Sequence, residues 1–524
     1  MINSRSLQGI IVLTAGVFLA IWLGLSIATN QVETIVQVIA AAVLIGCLFL
    51  GKRIWLLVPF MAALSLSLRL PGQPSGLLLA QALVLGFCTL LFLMRKLPFQ
   101  LAWTELEFWI VVLTLFVVQV YMRNPVGVNM FGGDTVGGKG YALYAIALAS
   151  TLLFCGLRVP ASELKWVLPL SILGGLMNTA ISILGSFIPA IAFYTGAGAY
   201  MESVDAGYDD RVIDEKAATR VGFLSTFANN ASLWISSYIS PLMACVRPLW
   251  AILLLAAIVA AGLSGFRNGI VTVGFTLLLG IAYRSGFGGV AISIFGGIGG
   301  LALLAVVNTM HPLPPNVQRS LTFLPGTWEE RYKLDAEGSS EWRFEVWREV
   351  LLTDRWIHNK WLGDGLGFSA VELAAQMNSR QGTRAGISGF EGHRETVLAN
   401  GDYHSGPVST IRVIGYSGLL FFLLAQIRLA VHAHRQILRC RGTEWFPLAL
   451  CTGIPIIICP LYFVFIFGDF KTNAASFLLA AGMIRLLENN LPLPAYVKRS
   501  KLPFVLQSGH RAQLREQRLV PGKR

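Results

Sequence analysis

The residues best placed for chemistry lie in Gly401-Asp402-Tyr403-His404-Ser405-Gly406-Pro407, the last polar stretch before an apolar run that opens at Val408 and continues to about Ala430. Histidine takes up or releases a proton near neutrality, and this one stands at the lip of a run long enough to enter a membrane. Asp402 suits an orienting partner for the imidazole as readily as a ligand. Three arginines accompany it. Arg412 lies about two helical turns deeper than His404, inside the apolar run, where a charge must be paired or face a polar cavity. Arg267 lies in Ser264-Gly-Phe-Arg-Asn-Gly269, between two adjoining runs, where snorkelling to headgroups is the ordinary alternative. Arg343 belongs to Glu341–Leu352, a predicted helix with Ser340 as a fair N-cap and an acidic first turn. Its helical spacing gathers Trp342, Phe344, Val346, Trp347, Val350 and Leu351 on one arc, with Glu345, Arg348 and Glu349 opposite. Arg343 falls in the middle of the apolar arc, where a guanidinium needs an anion or a ring face. Gathered around His404, Arg267, Arg343 and Arg412 would suit a diphosphate. Guanidinium forks bind phosphate oxygens in pairs and stabilise a departing charge, while the imidazole takes a proton from a hydroxyl nucleophile.

Other candidates carry less. Gly363, Gly365 and Gly367 have the look of a phosphate cradle, but no strand and helix frame them, so a tight turn is the expected role. His311, His358 and His393 read as surface residues, and His432 and His434 as part of a basic loop. No spacing in the long loop resembles a metal site, so the chemistry is expected to need neither metal nor cofactor. Cys47, Cys88, Cys155, Cys245, Cys451 and Cys459 fall in apolar runs and Cys440 in a basic loop, which gives no disulfide framework.

These residues need elements to carry them, and the composition says what kind. With 55% hydrophobic residues, 13% charged and a mean hydropathy of +0.63 over 524 residues, the chain has too little polar surface to cover a soluble globule. The net charge of +13 is not a nucleic-acid footprint. Its surplus falls in short turns, such as Lys52-Arg53, Arg95-Lys96, Arg158 with Lys165, and Arg435, Arg439 and Arg441. It recurs in the tail from Lys498, while the alternating loops are neutral or acidic, as from Glu202 to Glu215. This is the positive-inside pattern.

The fold class expected is an all-α polytopic membrane protein of about 14 spans. They are read at 9–29, 32–50, 54–68, 76–94, 106–122, 140–157, 167–195, 231–246, 249–263, 268–283, 287–307, 408–430, 446–467 and 472–487. The first follows a short basic start and is longer than a signal-peptide core, so it is expected to remain as an anchor. The run 167–195 is long enough to break at Pro189. Residues 1–307 form the first eleven helices, with a smaller loop near 196–230. A large, partly helical loop spans 308–405 and holds 13 of the 28 acidic residues, the last three helices occupy 406–490, and a basic tail follows over 491–524. An even count puts both termini on the basic, cytoplasmic side and His404 on the other.

Three motifs in order resemble the O-antigen ligase and polymerase superfamily of bacterial membrane glycosyltransferases. His404-Ser405, nine residues, then Gly415-Tyr-Ser-Gly418 is similar to the ligase pattern His-[Asn/Ser/Gln]-x9-Gly-x-x-Gly. Ser264-Gly-Phe-Arg267-Asn-Gly is similar to Ser-x-Ser-Arg-Gly, although Asn268 separates the arginine from Gly269. Arg343-x3-Trp347 followed by Leu362-Gly-Asp-Gly-Leu-Gly is similar to Arg-x3-Trp and a Gly-x-Gly-x-Gly stretch. The resemblance covers about 260–425. It implies the C class of integral-membrane glycosyltransferase folds, the bacterial inner membrane, and a site on the periplasmic face. The donor would be an undecaprenyl diphosphate-linked glycan, and the acceptor a glycan or a lipid A-core sugar hydroxyl. Membrane lipids are then partners and nucleic acid is not. On that resemblance Arg267 and Arg343 would hold the diphosphate, joined by Arg412 on its depth, and His404 would be the general base of an inverting transfer. A polymerase of the same superfamily differs only in acceptor. A polysaccharide or lipid transporter is the rival of another class, but the inverted repeats such proteins often show are absent and the long loop is one-sided.

Overall fold

The computed structural model describes residues 50–66, 75–126, 137–195, 220–367, 398, 401 and 403–492. The run expected at 9–29, all but the last residue of the run expected at 32–50, the acidic stretch from Glu202 to Glu215, His393, Asp402 and the basic tail lie outside the described residues. Within them the secondary structure is helical, with isolated bridges, such as that between Phe99 and Leu157, in place of any strand. A short 3-10 turn, Gly51–Leu56, leads into α1 (Leu57–Leu64). There follow α2 (Gly76–Leu93), α3 (Glu105–Arg123), α4 (Lys139–Gly156), α5 (Ala161–Leu164), α6 (Val167–Phe187), α7 (Pro189–Thr195) and α8 (Gly222–Tyr238). The second half contains α9 (Pro241–Ala244), α10 (Pro248–Leu263), α11 (Arg267–Met310), α12 (Pro315–Leu321), α13 (Glu330–Leu352), α14 (Gly406–Cys440), α15 (Phe446–Phe465) and α16 (Phe470–Asn490). Seven of these helical segments are long and apolar enough to cross a membrane. Leu249, Phe287, Phe295 and Ile298 are among the large apolar side chains left exposed. Water penalises such a belt, whereas hydrocarbon accepts it, and this is an all-α membrane protein.

Two features set the topology. The 44 residues of α11 would make a rod of about 66 Å if straight. Yet Asn316, six residues beyond its end, donates from Nδ2 to the carbonyl of Leu263, just before its start, at 3.0 Å. Six residues reach at most about 20 Å, so the helix turns back on itself. The reversal falls at Gly286, whose φ of 74° is open to glycine, and it divides α11 as the two expected spans 268–283 and 287–307 divide it. Likewise α14 and α15 run antiparallel, Gly406 lying against Phe463 and Gly453 against Ile437. The starts of α11, α14 and α16 and the end of α15 therefore gather at one end of the bundle.

The opposite end is tied by charge. Arg485, 4% exposed, donates from Nε to Glu107 at 2.6 Å, from Nη1 to Glu488 at 2.8 Å and from Nη2 to the Ala102 carbonyl at 3.1 Å. Glu107 also accepts from the amide of Thr104 at 2.8 Å, closing a capping box at the start of α3. His432 hydrogen-bonds Glu488 at 2.9 Å, and Arg428 pairs with Glu105 at 3.2 Å. Lys165 with Glu444 at 3.1 Å and Arg53 with Glu163 at 3.5 Å continue the basic rim.

Several boundaries differ from the sequence expectation. The span read at 231–246 begins at Gly222 and ends at Tyr238, because Ser225, Asn229, Asn230 and Ser232 turn into the bundle rather than forming the end of a loop, and Asn230 donates to the Gly175 carbonyl. Cys245 consequently lies beyond α9 and is exposed. α13 starts at Glu330, so Ser340 is interior and Glu329 is the N-cap. Phe344, expected on the buried arc, is exposed. α14 continues to Cys440, which makes His432 and His434 helical residues rather than loop residues. The break anticipated at Pro189 is present, with Ile188 extended between α6 and α7.

The glycine-rich stretch docks on α14. Gly415 interrupts that helix with φ 76° and ψ 178°, and the amides of Asp364 and Gly365 bond the carbonyls of Arg412 and Val413 at 2.6 and 3.2 Å. In return Tyr416 N donates to the Lys360 carbonyl at 2.8 Å and Ser417 Oγ to that of Trp361 at 2.8 Å. The loop thus satisfies backbone groups that the kink exposes. A Cβ at Gly415 would lie 2.2 Å from the Trp361 carbonyl oxygen. Gly415→Ala is expected to lose about 1–3 kcal/mol of stability from the backbone conformation alone, read as a lowered unfolding midpoint in detergent.

Candidate active site

His404 is held from both sides. Ser405 caps α14, its Oγ accepting from Val408 N at 3.4 Å, and Trp347 Nε1 on α13 donates to the Tyr403 carbonyl at 2.7 Å. Between these anchors the backbone of His404 takes φ 50°, a conformation unusual for a side chain of its size. Its ring is half-buried between Trp342, centroid at 5.7 Å, and Phe467, centroid at 5.5 Å. Phe467 belongs to the turn joining α15 to α16, so elements distant in sequence frame the imidazole. The fit of α13 against this end rests on Val346 and Val350, fully buried against Tyr403, Val408 and Ile411.

Trp342 leads directly to Arg343. This guanidinium is half-buried outside the membrane-spanning helices. Loss of water and then the like charge of Arg319 hold its pKa below the ordinary value, while Tyr462 acts in the opposite sense. No carboxylate of the described residues enters that balance. Tyr462, on α15, accepts from Asn268 Nδ2 at 3.0 Å, and Asn268 is the residue after Arg267. The Trp342–His404 ring contact and the Asn268–Tyr462 hydrogen bond thus lie at the same end of the bundle, with Tyr462 near enough to act on the charge of Arg343. Arg267 is the first residue of α11, where unpaired helix amides favour an anion.

The turn before it is built closely. Ser264, fully buried, donates to the Ala261 carbonyl at 2.7 Å and accepts from Phe266 N at 3.3 Å, and Gly265 takes φ 72°. Arg319 of α12, 3% exposed, donates from Nη1 to the Gly265 carbonyl at 2.7 Å.

Arg412 lies inside α14. It is buried, and its guanidinium packs against the backbone of Gly401 so closely that a Cβ there would lie 1.7 Å from Nη1. It therefore backs the loop that delivers His404. The Trp342 Nε1 donor is buried with no acceptor among the described residues.

The sequence singled out His404, Arg267, Arg343 and Arg412 and passed over Arg319, bonded to Gly265, Tyr462, bonded to Asn268, and Phe467, against His404. Arg319 sits in a short segment without periodicity, and the two aromatics read as ordinary membrane residues. Asn268 offered a signal, since a polar amide opening an apolar run needs a partner. Among the described residues no three His, Cys, Asp or Glu side chains come together as a metal site. This end of the bundle thus carries a half-buried guanidinium, Arg343, on the residue next to the one whose ring faces the half-buried imidazole. A scan of the chain against protein-family models finds no match, and a search of the curated proteins finds none.

Proposed function

We propose that this chain is a membrane glycosyltransferase of the O-antigen ligase kind, moving a glycan from undecaprenyl diphosphate to a sugar hydroxyl. The observation that supports the reading is that the His404–Trp342 ring contact and the Asn268–Tyr462 hydrogen bond, each beside one of the arginines Arg343 and Arg267, lie at one end of the bundle. In this reaction His404 takes the proton of the acceptor hydroxyl as its oxygen attacks the anomeric carbon. The bond from that carbon to the diphosphate oxygen breaks, and its electron pair leaves on undecaprenyl diphosphate. One displacement inverts the anomeric centre. Arg343 and Arg267 neutralise the charge that accumulates on the leaving group, and Arg412 keeps the Gly401–His404 loop in register.

On this reading the chain has about 14 spans, α11 supplying two of them and the apolar runs in residues 9–50 another two. The basic rim around Arg53, Lys165 and Arg428 is then cytoplasmic, and His404 faces the periplasm of a bacterial inner membrane. The fold would be of the C class of integral-membrane glycosyltransferases.

Purified protein in detergent, given undecaprenyl diphosphate-linked glycan and an acceptor sugar, is expected to form a new glycosidic bond. Movement of glycan across sealed vesicles without bond formation would instead identify a transporter. In cells, loss of a ligase leaves lipid-linked polymer unattached, whereas loss of a polymerase leaves single repeats, which gel analysis of surface polysaccharide separates. Arg343→Lys is expected to lower kcat/KM by about 10–100-fold, since a lysine keeps the charge but not the paired donors. Initial rates at varied donor concentration check this.

A further inference from the structure

The rings that flank His404 come from different parts of the chain, Trp342 from α13 with its centroid at 5.7 Å and Phe467 from the α15–α16 turn at 5.5 Å. Interplanar angles of 48° and 33° keep both rings tilted, so neither lies flat on the imidazole. Phe467 is 39% exposed, whereas Phe463, one helical turn earlier on α15, is 1% exposed. Stabilisation follows the apolar area removed from water, so the fold depends little on the Phe467 ring.

Trp342 adds a polar group at the same place. The nearest indoles in sequence, those of Trp328, Trp347 and Trp356, each donate their N–H, to the Leu324 carbonyl at 2.8 Å, the Tyr403 carbonyl at 2.7 Å and Glu349 at 2.7 Å. The Trp342 Nε1–H is shielded from water and has no acceptor among the described residues. A donor held so has lost its hydration without replacement, and it calls for an oxygen that a bound molecule can supply. Tilted ring faces and one donor, set around a proton acceptor, suit a molecule that is apolar on one face and rich in oxygen elsewhere. A pyranose has this form, with axial C–H groups on a face and hydroxyl and ring oxygens around its edge. An acyl chain would cover the rings but leave the indole N–H without an acceptor, and a phosphate would satisfy the N–H but lose hydration against the rings.

We infer that Trp342 and Phe467 form the acceptor-sugar subsite, their ring faces holding the pyranose whose hydroxyl meets His404 while Trp342 Nε1 donates to another of its oxygens. Side chains at binding surfaces commonly change rotamer on binding, which brings a ligand oxygen to a donor that water does not reach. The inference rests on the glycosyltransfer reading and deepens it from the class of reaction to the residues that choose the acceptor.

The test uses the full chain in detergent, as wild type, Phe467→Leu, Phe467→Tyr and Trp342→Phe. Trp166→Leu, which removes an exposed ring beside Lys165 on the basic rim, is the control. The probe is the producing cell's own surface oligosaccharide, released by mild acid and free of lipid. Its Kd is measured by calorimetry, its KM at saturating donor and the donor KM at saturating oligosaccharide, with unfolding midpoints alongside. Phe467→Leu is expected to weaken Kd and raise the oligosaccharide KM by about tenfold, with donor KM and midpoint close to wild type. Phe467→Tyr keeps a ring face and should hold both constants near wild type. Trp342→Phe keeps a face but no donor and should weaken Kd by about three- to tenfold. Trp166→Leu should change neither constant. Should Trp342→Phe fail to fold, the Phe467 pair decides alone. Oligosaccharide Kd and KM unchanged in Phe467→Leu would overturn the inference; a fall in kcat would then mark the ring as a support for the imidazole, and a rise in donor KM would place it against the donor glycan. A wild type that binds no oligosaccharide would overturn the subsite. One that binds it but forms no glycosidic bond would overturn the glycosyltransfer reading and leave the sugar subsite standing.

Discussion

His404→Ala is expected to fold normally and to lower kcat by about 10²–10⁴-fold, the usual contribution of a positioned general base. Its donor KM should change little. The imidazole touches Trp342 and Phe467 rather than carrying the fold, and the loop around it is held by Ser405, Trp347 and Arg412. Alanine accepts the φ of 50° poorly, so His404→Asn is the stricter comparison. Asparagine tolerates that backbone region and keeps a polar side chain, but cannot take up a proton near neutrality. Both variants should retain binding of the diphosphate donor while losing transfer. Full activity in a well-folded His404→Asn protein would remove the base assignment and leave the arginines as a binding site only.

Arg485→Met is expected to cost about 3–5 kcal/mol of stability, because it strands a buried carboxylate in place of a pair. Glu107 is 1% exposed and Glu488 is largely enclosed, and Arg485 donates to both. The double variant Arg485→Met with Glu107→Leu should recover a large part of the loss, since two apolar side chains avoid the desolvation that the ion pair offsets. Chemical unfolding in detergent measures both. The cluster lies at the end of the bundle away from His404, so activity per folded molecule should stay near wild type. A single variant as stable as wild type would mean that water already reaches Glu107.

Much of the helical framework was legible because hydrocarbon imposes a length and a composition on anything that crosses it. The reversal at Gly286, the break at Pro189 and the start of α14 at Gly406 coincide with residues whose backbone chemistry announces them. What escaped was polar structure inside the bundle. α8 opens among serines and asparagines that serve buried carbonyls, and hydropathy reads them as loop. α13 runs through Ser340 because a serine within a helix can return its hydroxyl to the backbone and need not cap. For the site, Arg343 stood out by being charged on an apolar arc, and His404 by closing a polar loop at the edge of an apolar run. Arg319 did not, since its meaning comes from Gly265, 54 residues earlier, and only folding brings them together.

The reversal at Gly286 leaves the returning limb of α11 fastened near its two extremities. Gly289 packs against Leu242 at one, and Asn308 grips the Thr327 carbonyl at the other. Between them Gly296, Gly297, Gly299 and Gly300 have open space where a side chain would go. That stretch answers to the solvent around it rather than to neighbours, so over generations it is free to drift among apolar alternatives. The kinked start of α14, pressed on by a loop, a turn and two helices, has no such latitude.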